Sequence, residues 1–259
     1  AYPAGDIVGC ATNGLRKPTQ VGGYESDISY FPNGDVKSYD LGNGAIYTAD
    51  KNARQMLRNF TYGKGGAPNV SEDFAYDANG NVSQITDVSG ANQRSKAMNY
   101  DGLNRLISAT AGQLWGTESY TYDTLNNIRT LTNGNGTNTY NYDGSNLLRS
   151  IGNGASALHS FNYDARGNTT AKDSQVLNFD LANRLTSIQG KGSYTYDAAG
   201  RRVKKVTPQG TTYYAYNAAG QLMWEYDPAT TNGTKYVYLG KKLVAHAKEP
   251  TSKVVGAFY

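Results

Sequence analysis

Polar and apolar positions along this chain repeat as a short strand-and-turn motif with no helical stripe. Aromatics stand two apart in Phe74/Tyr76, Tyr120/Tyr122, Tyr140/Tyr142, Phe161/Tyr163, Tyr194/Tyr196, Tyr214/Tyr216 and Tyr236/Tyr238. Side chains two apart share one face of a strand, so each pair marks a strand with an aromatic face. The residue between them is small or polar (Ala75, Thr121, Asn141, Asn162, Thr195, Ala215), as the other face requires. Beyond a polar block, apolar residues resume as Val82/Ile85, Leu106/Ala109, Ile128/Leu131, Leu148/Ile151 and Leu185/Ile188. A spacing of three breaks simple alternation. Between β-like flanks it reads as a bulge or added twist, with a helical turn as the weaker alternative.

The polar blocks carry the turn chemistry. They run Asp77 to Gly80, Asp101 to Asn104, Asp123 to Asn126, Asp143 to Asn146, Asp164 to Gly167, Asp180 to Asn183, Asp197 to Gly200 and Asn217 to Gly220. Each follows an aromatic: Tyr76, Tyr100, Tyr122, Tyr142, Tyr163, Phe179, Tyr196 or Tyr216, and Tyr238 heads one more unit. Asp or Asn at the start of a turn accepts a hydrogen bond from the backbone two residues on. Gly and Asn enter the left-handed region at least cost. An Asx start with a left-handed residue three places later predicts a type I turn closed by a bulge, hence a hairpin tip. Tips about every twenty residues are the mark of an array in which each unit buries its surface against its neighbours.

Weaker units flank the clear ones. Tyr30-Phe31-Pro32-Asn33-Gly34 keeps Gly34, whereas Ala49-Asp50-Lys51-Asn52-Ala53 puts Ala in the left-handed place and is expected to turn differently. Gly63 to Pro68 reads as a loop, and Asn133-Gly134, Gly152 to Gly154 and Gly190 to Gly192 read as turns at the opposite edge. Three segments follow: a lead-in or cap over 1–27, the repeat ribbon over 28–245, and a tail over 246–259 outside the pattern. The fold class expected is all-β, a repetitive antiparallel hairpin ribbon wound into a spiral or a shell or tube segment.

Composition agrees. The chain has 259 residues with 22 Tyr, 30 Gly and only 18% charged residues. Tyr combines apolar area with a polar tip, which suits a thin sheet wet on one side. The net charge of +4 is a mild excess. The run Arg201-Arg202-Val203-Lys204-Lys205 reads as solvated strand residues that discourage edge pairing, and no specific nucleic-acid partner is expected. Cys10 is alone, so no intrachain disulfide can form. There is no apolar run long enough for a transmembrane helix and no signal-peptide pattern. The start at Ala1 without Met reads as a fragment or processed product.

Chemistry is sparse. The two histidines, His159 and His246, lack metal-ligand spacing, and no Gly-x-Ser-x-Gly elbow supports His159 with Ser156 or Ser160 as a triad. The stretch from Asp77 departs from a calcium loop, with Gly too early and Val88 where a bidentate Glu belongs. Eight repeated turn carboxylates or amides are not a catalytic pair. No cofactor, no metal and no enzymatic activity are expected.

The pattern Tyr-x-Tyr-Asp-x-x-Gly/Asn-Arg/Asn-Leu resembles the RHS/YD-repeat family over about residues 28–245, and Tyr194 to Arg202 and Tyr236 to Gly240 look like units near the C-terminal end of an RHS core. The resemblance implies a long β-ribbon spiralling into a hollow shell that, in bacterial toxins, encloses a C-terminal effector. It also implies a secreted or cell-surface setting. In related wall-associated proteins and teneurins the theme is adhesion. The family's cleavage segment, around Asp-Pro-x-Gly, is not matched: Asp227-Pro228 is followed by Ala229-Thr230 in an ordinary-looking hairpin, and no effector segment is recognised. About eleven two-strand units at ~4.8 Å per strand make a ribbon of roughly 100 Å, one turn about 30 Å across, too small to enclose a domain. Two partners are therefore expected at the ribbon edges, further copies of the chain or adjoining RHS repeats, together with an enclosed effector or a cell-surface glycan. The lead expectation is a non-catalytic wall module, and the alternative is an adhesive module holding carbohydrate on exposed Tyr rows.

Overall fold

The computed structural model describes residues 9–90, 94–154, 156–230 and 232–250. The described residues contain 24 β-strands and no helix. Two compact units are present: Glu25–Ser160, and the described residues up to Tyr24 together with those from Phe161 onward. Within each unit the described strand pairings are antiparallel and join strands consecutive in sequence, as in Ala67–Tyr76 with Val82–Asp87, or Gly192–Tyr196 with Arg202–Thr207. The chain is all-β, a meander of hairpins.

The register explains the apolar spacing of three. Tyr76 stands opposite Val82 and Ala75 opposite Gln84, so Ser83 is an extra residue on the returning strand. The same slip leaves Ile107 extra between Leu106 and Ser108, and Arg129 extra between Ile128 and Thr130. With one residue bulged out, positions three apart return to one face. Val82 and Ile85 thereby oppose Tyr76 and Phe74, and Ile128 and Leu131 oppose Tyr122 and Tyr120. A straight strand would have sent half of these apolar groups to the other face.

That other face carries short polar side chains joined across strands. Thr121 bonds Thr130 at 2.6 Å, Thr132 bonds Thr137 at 2.8 Å, and Asn99 donates to Ser108 at 2.9 Å. Fully buried apolar side chains are few and scattered. Unit Glu25–Ser160 buries Ile28, Ala45, Ala49, Ala109 and Ala111, and the other unit buries Val21, Tyr214, Trp224 and Val237. Stability therefore rests on contacts between successive strands and not on a thick core.

Three expectations are corrected. The unit at Ala49 to Ala53 does not turn differently; its tip lies two residues later, where Gln55 has φ 63° and donates its N–H to the Asn52 carbonyl at 2.9 Å. Gly63 to Pro68 is not an open loop. Lys64 pairs with Ala67 across a two-residue turn whose Gly65 and Gly66 have φ 67° and 82°, the mirror-image turn that only residues free of a Cβ enter easily. Residues 246–250, assigned to the tail, belong to the strand Lys242–Pro250 and pair with Asn232–Leu239. The rest of the tail, 251–259, and residues 1–8 of the lead-in lie outside the described residues.

Candidate functional site

The repeated tips form the most regular constellation in the molecule. In each, the left-handed place has positive φ: Gly80 93°, Asn104 61°, Asn126 67°, Asn146 63°, Gly167 83°, Asn183 60°, Gly200 79° and Gly220 82°. Asp101 shows the wiring. Its N–H donates to the Arg105 carbonyl at 2.9 Å, and Asn104 N–H donates to the Asp101 carbonyl at 3.0 Å. Its Oδ1 accepts from Leu103 and Arg105 N–H groups at 2.9 and 3.0 Å. Asp123, Asp143 and Asp164 accept the same two backbone bonds. Asp77, Asp180, Asp197 and Asn217 each accept from the residue four places on. A short side-chain acceptor thus satisfies N–H groups the reversal leaves without a ladder partner.

The ladder aromatics end the incoming strands. Within a hairpin each faces a non-aromatic residue, Tyr100 facing Leu106, Tyr142 facing Leu148, Tyr163 facing Thr169, Phe179 facing Leu185, Tyr196 facing Arg202 and Tyr238 facing Leu243. The phenol then joins one hairpin to the one before. Tyr76 donates to the Leu57 carbonyl at 2.7 Å, Tyr100 to Val82 at 2.9 Å, Tyr122 to Leu106 at 2.7 Å, Tyr196 to Leu185 at 2.8 Å and Tyr216 to Arg202 at 2.9 Å. Tyr serves here because Phe has no donor to offer.

In seven of the eight tips the residue after the left-handed place links tip to tip; the exception is Leu147, whose side chain has no donor. Arg105 binds Asp101 Oδ2 through Nε at 2.7 Å, and its Nη1 reaches the next tip at the Asp123 carbonyl and Asn126 Oδ1, 3.2 and 2.9 Å. Its guanidinium lies 4.7 Å from the centre of the Tyr122 ring. Arg184 and Arg201 repeat this toward Asp197 and Asn217, and toward the rings of Tyr196 and Tyr216. Where the position holds Asn, the amide does the linking: Asn81, Asn127 and Asn168 donate to their own Asp and to Asn104, Asn146 and Asn183 of the following tip. Gln221 pairs with Asn217 and reaches the Gly240 carbonyl at 2.6 Å. Sequence reasoning placed Arg or Asn here in the motif without giving it a role. The signal was its chemistry, since a donor recurs beside an acceptor of the same tip.

These bonds favour the charged carboxylate. Hydrogen bonds from the Asn81, Asn127 and Asn168 amides hold Asp77, Asp123 and Asp164 below the usual carboxylate range. For Asp101, Asp143, Asp180 and Asp197 the leading cause is the backbone N–H four residues on. Burial pushes up the Tyr122 and Tyr216 phenols.

The remaining polar and titratable groups lie outside the motif. His159 faces Ile151, and His246 faces Tyr236 with ring centres 6.2 Å apart. A groove of about 360 Å³ is lined by Thr212, Glu225, Asp227, Thr234 and Lys248 among others. Glu225 accepts the Tyr236 hydroxyl there at 2.9 Å. Asp227 lies in a turn, its Oδ1 accepting Ala229 N–H at 2.9 Å. Among the described residues no three His, Cys, Asp or Glu gather as metal ligands, and no helix is long and apolar enough to cross a membrane.

Residues 135–259 match the family described as teneurin YD-shell. Among curated proteins none is similar enough in sequence to stand as a relative. Among solved structures, a chain of TcdB2-TccC3-Cdc42 is similar over 93% of this chain, with 17% identity and a TM-score of 0.68. A chain of TcdB2-TccC3 is similar over 94%, with 16% identity and a TM-score of 0.68. A chain of the Photorhabdus luminescens Tc holotoxin pore is similar over 92%, with 19% identity and a TM-score of 0.50. This chain spans only 14, 15 and 12% of the lengths of those chains. At such identity the likeness is one of fold.

Proposed function

We infer that this chain, an RHS/YD-repeat protein, is a non-catalytic stretch of the wall of a hollow β-shell or tube, serving toxin encapsulation or delivery in a secreted bacterial system. The observation that carries the reading is the tip-to-tip linkage. Arg105 and its counterparts spend their donors on the next hairpin, so each unit is completed by a neighbour and the ribbon is built to continue. Further RHS repeats at the strand edges are the partners such a ribbon needs, and an enclosed effector is the cargo such a wall would hold. The adhesive alternative, with Tyr rows open to glycans, is weaker. Tyr76, Tyr100, Tyr122, Tyr196 and Tyr216 already commit their hydroxyls to backbone carbonyls.

Light scattering across a concentration series, with electron microscopy of the same samples, tests the reading. Assembly into curved or tubular particles as concentration rises is expected. A monodisperse monomer throughout overturns it. For the absence of catalysis the readout is intact mass after long incubation, where a discrete cut product is the adverse result.

A further inference from the structure

In the unit Glu25–Ser160, the strands Val36–Leu41 and Ala45–Lys51 place Tyr39 directly opposite Tyr47. Their ring centres are 4.8 Å apart and their planes differ by 16°. Both side chains are part-exposed. Directly opposed side chains stand up from the sheet side by side. The two phenol ends, and the ring carbons ortho to each hydroxyl, therefore face one another at similar height. The column continues from Tyr47 to Phe60 at 6.0 Å and from Phe60 to Phe74 at 6.1 Å, but those contacts pair no two phenols. Tyr62 stands opposite Tyr47 on its other side, and another opposed and stacked tyrosine pair, Tyr213 with Tyr226, is looser at 6.2 Å and 27°.

We propose that Tyr39 and Tyr47 are an oxidative cross-linking site, joined as dityrosine by a haem peroxidase using a peroxide. Each phenol gives up one electron and its hydroxyl proton to become a neutral phenoxyl radical. The radicals couple through one new carbon–carbon bond between ortho carbons, and the two ring hydrogens displaced there move to the oxygens as the rings regain aromaticity. The two phenols together lose two hydrogen atoms, and one peroxide is reduced to two waters. The product is a covalent staple between adjacent strands, independent of whether the chain serves as a shell wall. Burial, with Tyr39 beside it, holds the Tyr47 phenol protonated, so its proton must leave with the electron.

The purified chain, kept dilute, is treated with a haem peroxidase and hydrogen peroxide, then read by dityrosine fluorescence, intact mass and peptide mapping. A monomeric product lighter by two hydrogens is expected, with one cross-link between the Tyr39 and Tyr47 peptides. Tyr39→Phe and Tyr47→Phe keep the rings and should each abolish it, with circular dichroism showing the fold retained. Tyr62→Phe and Tyr226→Phe should leave it intact, and prior unfolding in urea should scatter or remove it. No product, products only between chains, or a cross-link that survives Tyr39→Phe overturns the proposal.

Discussion

The hydroxyl of Tyr122 donates to the backbone carbonyl of Leu106 across 2.7 Å, tying one hairpin to the hairpin before it. Leu106 is also the residue that faces Tyr100 inside its own hairpin, so a single strand position touches the ladder ring of two successive units. Tyr122→Phe keeps the ring and removes the donor. It should cost about 0.5–1.5 kcal/mol, the net worth of a typical protein hydrogen bond. Urea unfolding checks this, and an unchanged midpoint would show that the tie contributes nothing.

Arg105 meets the same junction from the other side, over the Tyr122 ring and onto Asn126. Arg105→Lys preserves charge but loses the planar fork that serves Asp101, the Asp123 carbonyl and Asn126 together. The loss expected is under about 1 kcal/mol because the group is partly exposed. Combined with Tyr122→Phe, the two losses should not add, since Arg105 packs on the ring that carries the lost hydroxyl. Strict additivity in a double-mutant cycle would refute the shared junction.

At Gly200 the penalty for a side chain is one of backbone alone. Gly200 has φ 79°, and no heavy atom lies within 4 Å of where a Cβ would stand. Gly200→Val should therefore cost about 1–2 kcal/mol or more through conformation without any clash. Asn126→Gly, at φ 67°, keeps the turn but removes the Oδ1 that Arg105 binds, and should cost about 0.5–1.5 kcal/mol. If Gly200→Val melts like the parent chain, the turn does not need its left-handed residue.

Much of this was legible in the sequence because the motif is local. Asp101 to Asn104 settles its own turn through φ preference and a side-chain acceptor, and eight copies in register made the ribbon readable. The spacing of Val82 and Ile85 pointed to a bulge for the same reason. Contacts between hairpins were harder. Tyr122 carries nothing in its spacing to say that its hydroxyl finds Leu106, some sixteen residues away. Gln55 was missed because neither Gly nor Asn marks it, and a turn with an ordinary residue at φ 63° leaves no compositional trace. The strand to Pro250 was missed because pairing with Asn232–Leu239 extends beyond the motif on which the repeat was counted.

The tip aspartates give the fold an acid limit. Seven of them, Asp77, Asp101, Asp123, Asp143, Asp164, Asp180 and Asp197, have pKa values held below the ordinary 3.8. The folded state then binds fewer protons than the unfolded chain in this range. Their stabilisation is fully present above the unfolded value and is lost as pH falls through the lowered folded values. Melting temperature should be nearly flat from neutral pH down to about 5 and fall steeply below about 4. Replacing Asp101 and Asp123 by Asn, the residue that already fills this place at Asn217, should make the acid fall shallower. A profile unchanged by both substitutions would remove the tips as its cause.

Trp224 and Gly233 make a tight packing constraint in the unit that begins again at Phe161. Trp224 is fully buried, 0% exposed, and stands opposite Lys235, which puts Gly233 diagonally beneath its ring. A Cβ on Gly233 would lie 2.5 Å from Cζ2, 2.6 Å from Cε2 and 2.7 Å from Nε1 of that indole. No relaxation of a flexible chain end can relieve this, because the clashing atoms belong to a rigid, fully buried ring. Gly233→Ala should therefore destabilise by about 1–3 kcal/mol, the usual cost of overpacking. Trp224→Leu alone should also destabilise, since it empties part of a buried site. The two together should cost less than their sum, because the smaller side chain at 224 makes room for the methyl group at 233. Thermal and urea unfolding of the three variants measure this directly, and additive losses would mean that the indole does not press on Gly233 in solution.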